Sequence, residues 1–588
     1  MNAGPSRRRR AVLAGAAGAI AATSGCVGEI RNLVGRSRTS QLSLTIATLP
    51  AGDDPYAVRI ANRLADNLQA AGIETLVDAI RPDVLLRDVL VNHDFDLYVA
   101  RYPSQGDPDE VRSMLYSAYA EEAGWQNPFG FSNLSFDELL DEQRIVEDER
   151  RIEVVHEIQR EIVREQPFTV VCYPDHINAV RTDRFDRWPR GGLNAAVDYL
   201  QLDRVDSETT LQLLLRNSRI TRNRNPIAAE YRDQGYLIDL LYDSLLRFPP
   251  DAVAPINWIA ETVSWGDGST LSATIQLRET SWHDDEPVTA DDVAFTYEFL
   301  RDTSLGEFDS PVPTPWRRGR LSLIDTVSVL SDRELRITFT TDNRSVAYRP
   351  LVVPILPEHI WRDRAVAADL AGVDIVGQTT EALITSNEAA VGSGPFRFVD
   401  AATDESLSIE TFPDHFVYRE QPDDIPSRFA GDPPFDRIEF TVVPSHDAAV
   451  QVLLDNDADS TADGLQASVV PRVVRANDLS LRIRPANSFY HIGYNARRSP
   501  MTDPNFRRIV SRHIDRTSIV SESLSGYGSP SQVPLTGRWV PEDLQWDGEA
   551  SLPFFGTDGE IDPEQAREAF REAGYQYDGD TLIRRGDS

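Results

Sequence analysis

Leu42, Leu44 and Ile46 alternate with polar neighbours, the period of a strand with one buried face. Ile60, Ala61, Leu64, Ala65, Leu68 and Ala71 then recur at helical spacing until Gly72. Residues 73–80 return to extended character, 82–92 suit a helix, and Phe95, Leu97 and Val99 alternate again. This β-α-β-α-β order predicts an α/β fold with a mostly parallel sheet. Ile145, Ile152, Val155, Ile158 and Ile162 predict one long helix over 136–164, its charged side facing solvent, followed by a strand over 168–173. After Trp188-Pro189-Arg190-Gly191-Gly192 the pattern shortens to strands and turns, with a helix predicted over 290–301 behind Thr289 as N-cap. Residues 251–391 are loop-rich, and Gly392-Ser393-Gly394-Pro395 marks a boundary.

Composition changes this picture at the N-terminus and at the surface. Arg7 to Arg10, an apolar run to Ala22 and small residues before Cys26 read as an export signal, too short to span a bilayer. Arg9-Arg10-Ala11-Val12-Leu13 resembles a twin-arginine motif, and Thr23-Ser24-Gly25-Cys26 resembles a lipobox, which would place a lipid on Cys26. Residues 27–41 form the expected tether. Cys172, in an apolar strand, is expected to be buried. The formal charge is −34, and none of the 59 basic residues is a lysine. That field argues against nucleic acid and anionic lipid as partners and matches haloarchaeal composition, where salt cuts the Debye length to about 3 Å. No catalytic constellation, cofactor motif or paired metal-ligand spacing stands out; metal at the His283 to Glu286 run is disfavoured because successive residues of an extended segment point in opposite directions.

Three stretches then carry a resemblance: Leu240 to Leu245; Ile275 to Arg278 with Ser281-Trp282-His283-Asp284-Asp285-Glu286-Pro287-Val288-Thr289-Ala290-Asp291-Asp292-Val293; and Pro354 to Trp361. With Gly392 to Phe398 and Asn495 to Arg516, they resemble the family 5 extracellular solute-binding proteins, departing from the family pattern at Asp285, where it has Gly. The resemblance implies a type II periplasmic-binding-protein-like fold, two lobes on a hinge plus an extra subdomain, and an ABC permease as partner. Features that come last in the family, including Gly106-Asp107-Pro108 and Phe131-Ser132-Asn133, come first here, so a circular permutation joined near Arg204 to Glu208 is expected. The expected division is 42–190 with 490–588 as one lobe, 191–250 with 392–489 as the other, and 251–391 as the subdomain.

The resemblance also nominates ligand-binding residues. Counting back from Pro108 puts Arg101 and Ser104 at the Trp and Asp positions of the family's amino-anchor motif, so that anchor is missing. Arg101 is then read as facing an anion or sugar-like group with Tyr102 as an aromatic wall, or both as ordinary loop residues. Tyr173, Tyr490 and the turn containing Asn223 complete the candidate set. The function implied is a monomeric, lipid-anchored, non-enzymatic binder of peptides or other small solutes. A secreted hydrolase and a chemotaxis receptor remain as alternatives.

Overall fold

A computed structural model describes residues 41–583, apart from 105, 230–234, 250–253, 267, 369–377 and 420–421. The expected signal, Cys26 and all of the tether except Gln41 lie outside the described residues. No helix among them is long and apolar enough to cross a membrane.

The opening alternation folds as predicted: β1 (Ser43–Thr48), α1 (Pro55–Ala70), β2 (Glu74–Ala79), α2 (Pro82–Leu90) and β3 (Leu97–Tyr102), with β1 parallel to both β2 and β3. Helix α1 starts where the Asp54 carboxylate accepts the Tyr56 and Ala57 amides and Pro55 fits the first turn. It buries Ala57, Ile60, Ala61, Leu64, Ala65 and Leu68, each large aliphatic contributing about 1.5–3 kcal/mol. Gly72 then takes φ +94°, and a Cβ there would lie 2.0 Å from the Asp580 carbonyl oxygen.

The long helix expected over 136–164 is two: α4 (Leu134–Ile145) and α5 (Asp148–Glu165), after α3 (Pro108–Leu115). Val146 is extended and Asp148 has φ +46°, so the chain turns back and α4 packs along α5. The break rotates Ile145 out of the predicted stripe, and it is exposed.

Strand β4 (Phe168–Arg181) runs on past Tyr173, the predicted end. Its first half pairs with β15 (Phe489–Tyr494) and β16 (Gly528–Pro530); its second half, from Asp175, pairs with β14 (Leu479–Pro485). The handover falls at Pro174. Between these come β5 (Thr210–Leu215), β10 (Phe396–Ala402), β11 (Ser406–Thr411), β12 (Arg437–Val442) and β13 (Ser460–Thr461). The large sheet runs β10-β11-β12-β5-β13-β4-β15-β3-β1-β2. It is mixed: β12-β5-β13 and β3-β1-β2 are parallel, whereas β10-β11-β12, β13-β4, β4-β15 and β15-β3 are antiparallel, so the parallel expectation holds only in those two runs.

A separate antiparallel sheet, β6 (Ala260–Trp265), β7 (Ser272–Leu277), β9 (Glu334–Phe339) and β8 (Ile324–Ser331), packs with α6 (Ala290–Arg301). Thr289 is the N-cap of α6, as the sequence predicts, and it forms a capping box with Asp292. Trp282 is fully buried, and the His283 ring bridges the Gly392 amide and the Gly394 carbonyl, so these residues hold the fold. Asp243 anchors the same region, accepting from Arg247, Trp258 Nε1 and His415.

The described ends of the chain meet. Gln41 bridges Ile583, and the Leu42 amide donates to the Leu582 carbonyl at 2.9 Å.

Candidate functional site

Where β4 crosses from one half of the large sheet to the other, its Pro174, Asp175 and His176 reach a cleft of about 1480 Å³. Both sheet halves line it, together with stretches within 244–249, 316–320 and 349–354. In a chain of charge −34, ten arginines face six aspartates around this cleft, so its wall reverses the sign of the surface.

At one end, the loop after β1 meets the end of β5. The Arg216 guanidinium donates to the Gly52 carbonyl (2.6 Å) and to His446 Nε2 (2.7 Å), while the Asp463 carboxylate accepts the Arg216 and Asn217 amides. Tyr56 Oη accepts the Ala467 amide across the same gap. Below, Tyr490 Oη donates to both carboxylate oxygens of Asp54, at 3.0 and 3.1 Å, and Tyr56 stands edge-on to the Tyr490 ring. Burial pushes the Asp54 carboxyl up, against the downward pull of the Ala57 amide and Arg101. Burial likewise takes His176 down to about 3 with Arg484 and Arg101 helping, and His446 to about 4 with Arg216 helping.

At the other end, Trp125 Nε1 donates to the Ala229 carbonyl, closing the wall between the first sheet half and the second. Behind it, Arg144 pairs with both oxygens of Asp109 and also donates to Gly319 and Ser322, pinning α4 to the four-stranded unit. Arg349 pairs with Asp107, and Arg317 and Trp316 complete the wall.

The nominated residues divide. Arg101, Ser104, Asn223 and Tyr490 line the cleft. Ser104 Oγ is turned to Glu110, donating at 2.9 Å, and accepts the Gly106 amide. Tyr102 and Tyr173 are not brought to the cleft. Tyr102 is fully buried, stacked on Phe489 and edge-on to Trp125, so the aromatic wall at that point is Trp125. Tyr173 points into the same core and donates to the Val533 carbonyl. Asp54, Trp125, Arg216, Asp463 and Arg317 went unmarked in the sequence. Only Asp54 carried a local signal, as a helix N-cap before Pro55.

A sequence profile described as bacterial extracellular solute-binding proteins, family 5 middle, matches residues 254–587. Among curated relatives, the oligopeptide-binding protein AppA of Bacillus subtilis is 24% identical over 329 residues, 55% of this chain and 52% of AppA. The peptidoglycan-binding protein YepA of Agrobacterium fabrum is 27% identical over 298 residues, 47% of this chain and 43% of YepA. The chain thus spans about half the length of the curated relatives it matches. Among solved structures, AppA of Bacillus subtilis in complex with a nonapeptide superposes with a TM-score of 0.45 at 19% identity, covering 65% of this chain and 68% of AppA. The mannohexaose-bound oligopeptide-binding protein of Thermotoga maritima gives 0.45 at 22%, covering 63% of each chain. Because the profile extends over more than half of its residues, this chain belongs to the family 5 extracellular solute-binding proteins.

Proposed function

We propose that the protein captures a peptide or other small solute outside the membrane and delivers it to the permease of an ABC importer. The observation that carries this reading is the cleft itself, bounded by both halves of a sheet that share one continuous strand, in a chain of a solute-binding family. Solute would enter with the halves apart and be enclosed as they close, since a ligand shifts such an equilibrium only by binding the closed state better.

The resemblances at Arg9-Arg10 and Cys26 support export by the twin-arginine route and a lipid anchor. The lysine-free, acidic composition supports a haloarchaeal habitat. A circular permutation accounts for the segment order, and the Gln41–Ile583 bridge between the two described ends supports it. The joining stretch Arg204 to Glu208 is exposed, as a new connection on a surface requires.

Native mass spectrometry of protein purified gently in concentrated salt tests the capture reading. The expected result is one retained, non-covalently bound solute, released unchanged on unfolding. A solute converted to product on incubation would overturn the reading in favour of a hydrolase.

A further inference from the structure

Arg317 is 2% exposed and stands at the wall of the cleft. Its Nη2 donates to the Pro226 carbonyl at 3.1 Å, while Nε and Nη1 are buried with no hydrogen-bond partner. Among the described residues no carboxylate makes an ion pair with it. The neighbouring acids are engaged elsewhere: Asp107 with Arg349, Asp243 with Arg247 and His415, and Glu110 with Ser104 and, at 3.9 Å, Arg320. Asp239 acts on Arg317 only through space.

The surroundings repeat the imbalance. Trp316 Nε1 and Arg349 Nε are also buried without acceptors, and both residues line the same cleft. The Arg317 guanidinium lies 3.8 Å from the Trp316 ring centre, and Arg349 sits over Phe248 at 5.6 Å. This corner therefore holds N–H donors and aromatic faces in excess of acceptors. A buried cation served by one neutral carbonyl costs stability, whereas a planar oxyanion meets the guanidinium fork with two charge-assisted bonds.

We infer that this corner is an oxyanion subsite centred on Arg317, and that the captured solute is an anion whose carboxylate or phosphate group sits against Arg317 beside the Trp316 ring. The inference rests on the solute-capture reading and narrows it to acidic solutes.

Titration of the full chain with benzoate, inorganic phosphate and benzamide, followed by tryptophan fluorescence, tests it. Benzoate or phosphate is expected to bind saturably and at least tenfold more tightly than the neutral amide, and the tighter of the two identifies the group. In R317M that preference is expected to vanish while the melting temperature rises, because an unpaired buried cation has been removed; R317K is expected to keep part of the preference. Equal binding of benzoate and benzamide, an anion preference that survives in R317M, or an R317M protein that melts lower and so marks Arg317 as a structural prop, would each overturn the inference. If neither anion binds while a neutral solute is retained through purification, the subsite is removed and solute capture stands. If no solute of any charge is retained or bound, both readings go.

Discussion

The two ends of the cleft use the same residue types differently. Where the loop after β1 meets β5, charges are shared across the gap: Arg216 with Gly52 and His446, Asp463 with two amides, Asp54 with Tyr490 and the start of α1, although Nε of Arg216 and of Arg484 is buried without an acceptor here too. Where the four-stranded unit meets the first sheet half, the pairs Asp109–Arg144 and Asp107–Arg349 stand behind a guanidinium, Arg317, that has only a carbonyl. Charges at the first end hold two sheet halves together, while at the second the wall of the cleft holds buried N–H groups of Arg317, Trp316 and Arg349 without acceptors.

The comparison breaks most severely at the packing behind the second end. D109A strands the buried Arg144 beside Arg112 and Arg151, and is expected to cost about 3–5 kcal/mol by chemical denaturation. At the first end, Y490F removes a hydrogen bond to a buried carboxylate and is expected to cost about 1.5–3 kcal/mol in the same assay. R216Q is expected to change stability by less than about 1 kcal/mol, since the contact is partly exposed, yet to raise the radius of gyration in solution scattering by freeing the latch to Gly52.

Acid sharpens the contrast further. His446 must be neutral at Nε2 to accept from Arg216, and burial together with Arg216 lowers its pKa to about 4. With the folded value below the unfolded 6.5, this contribution is complete above pH 6.5 and is lost as pH falls toward and through 4. The radius of gyration is expected to rise over that fall in the wild type and to stay flat in R216Q, while the arginines of the second end keep their charge. The smallest effect belongs to segment order. A chain opened between Val205 and Glu208, with Ile583 linked to Gln41, is expected to melt within a few degrees of the natural order, because both sites are at the surface and the bridge is already formed.

Much of the fold was legible because its signals are local. Leu42, Leu44 and Ile46 declared a strand and one of its faces, although Ala47 buries the opposite face in a second core, and Thr289 declared a helix start to the residue. The break at Val146 was not, since both halves of the α4–α5 pair carry compatible helical spacing and the turn is set by α4 folding back on α5. The cleft was only half legible. Arg101 and Tyr490 pair in register across β3 and β15 and so reach it together, but Arg216, Trp316 and Arg317 come from segments whose meeting is decided by tertiary packing. Tyr102 and Tyr173 show the reverse error: tyrosines with the right chemistry, drawn into a core by Phe489 and its neighbours.

Strand β4 is one uninterrupted rod clamped by different partners on either side of Pro174, whose nitrogen carries no hydrogen to lend to a ladder. Lengthwise slip of one half against the other would shear both ladders at once, whereas twisting at the proline strains only the bonds from Ala486 to the Pro174 carbonyl and from Asp175 to the Tyr527 carbonyl. The proposed closure would in this sense change the gape of the cleft and leave its length fixed.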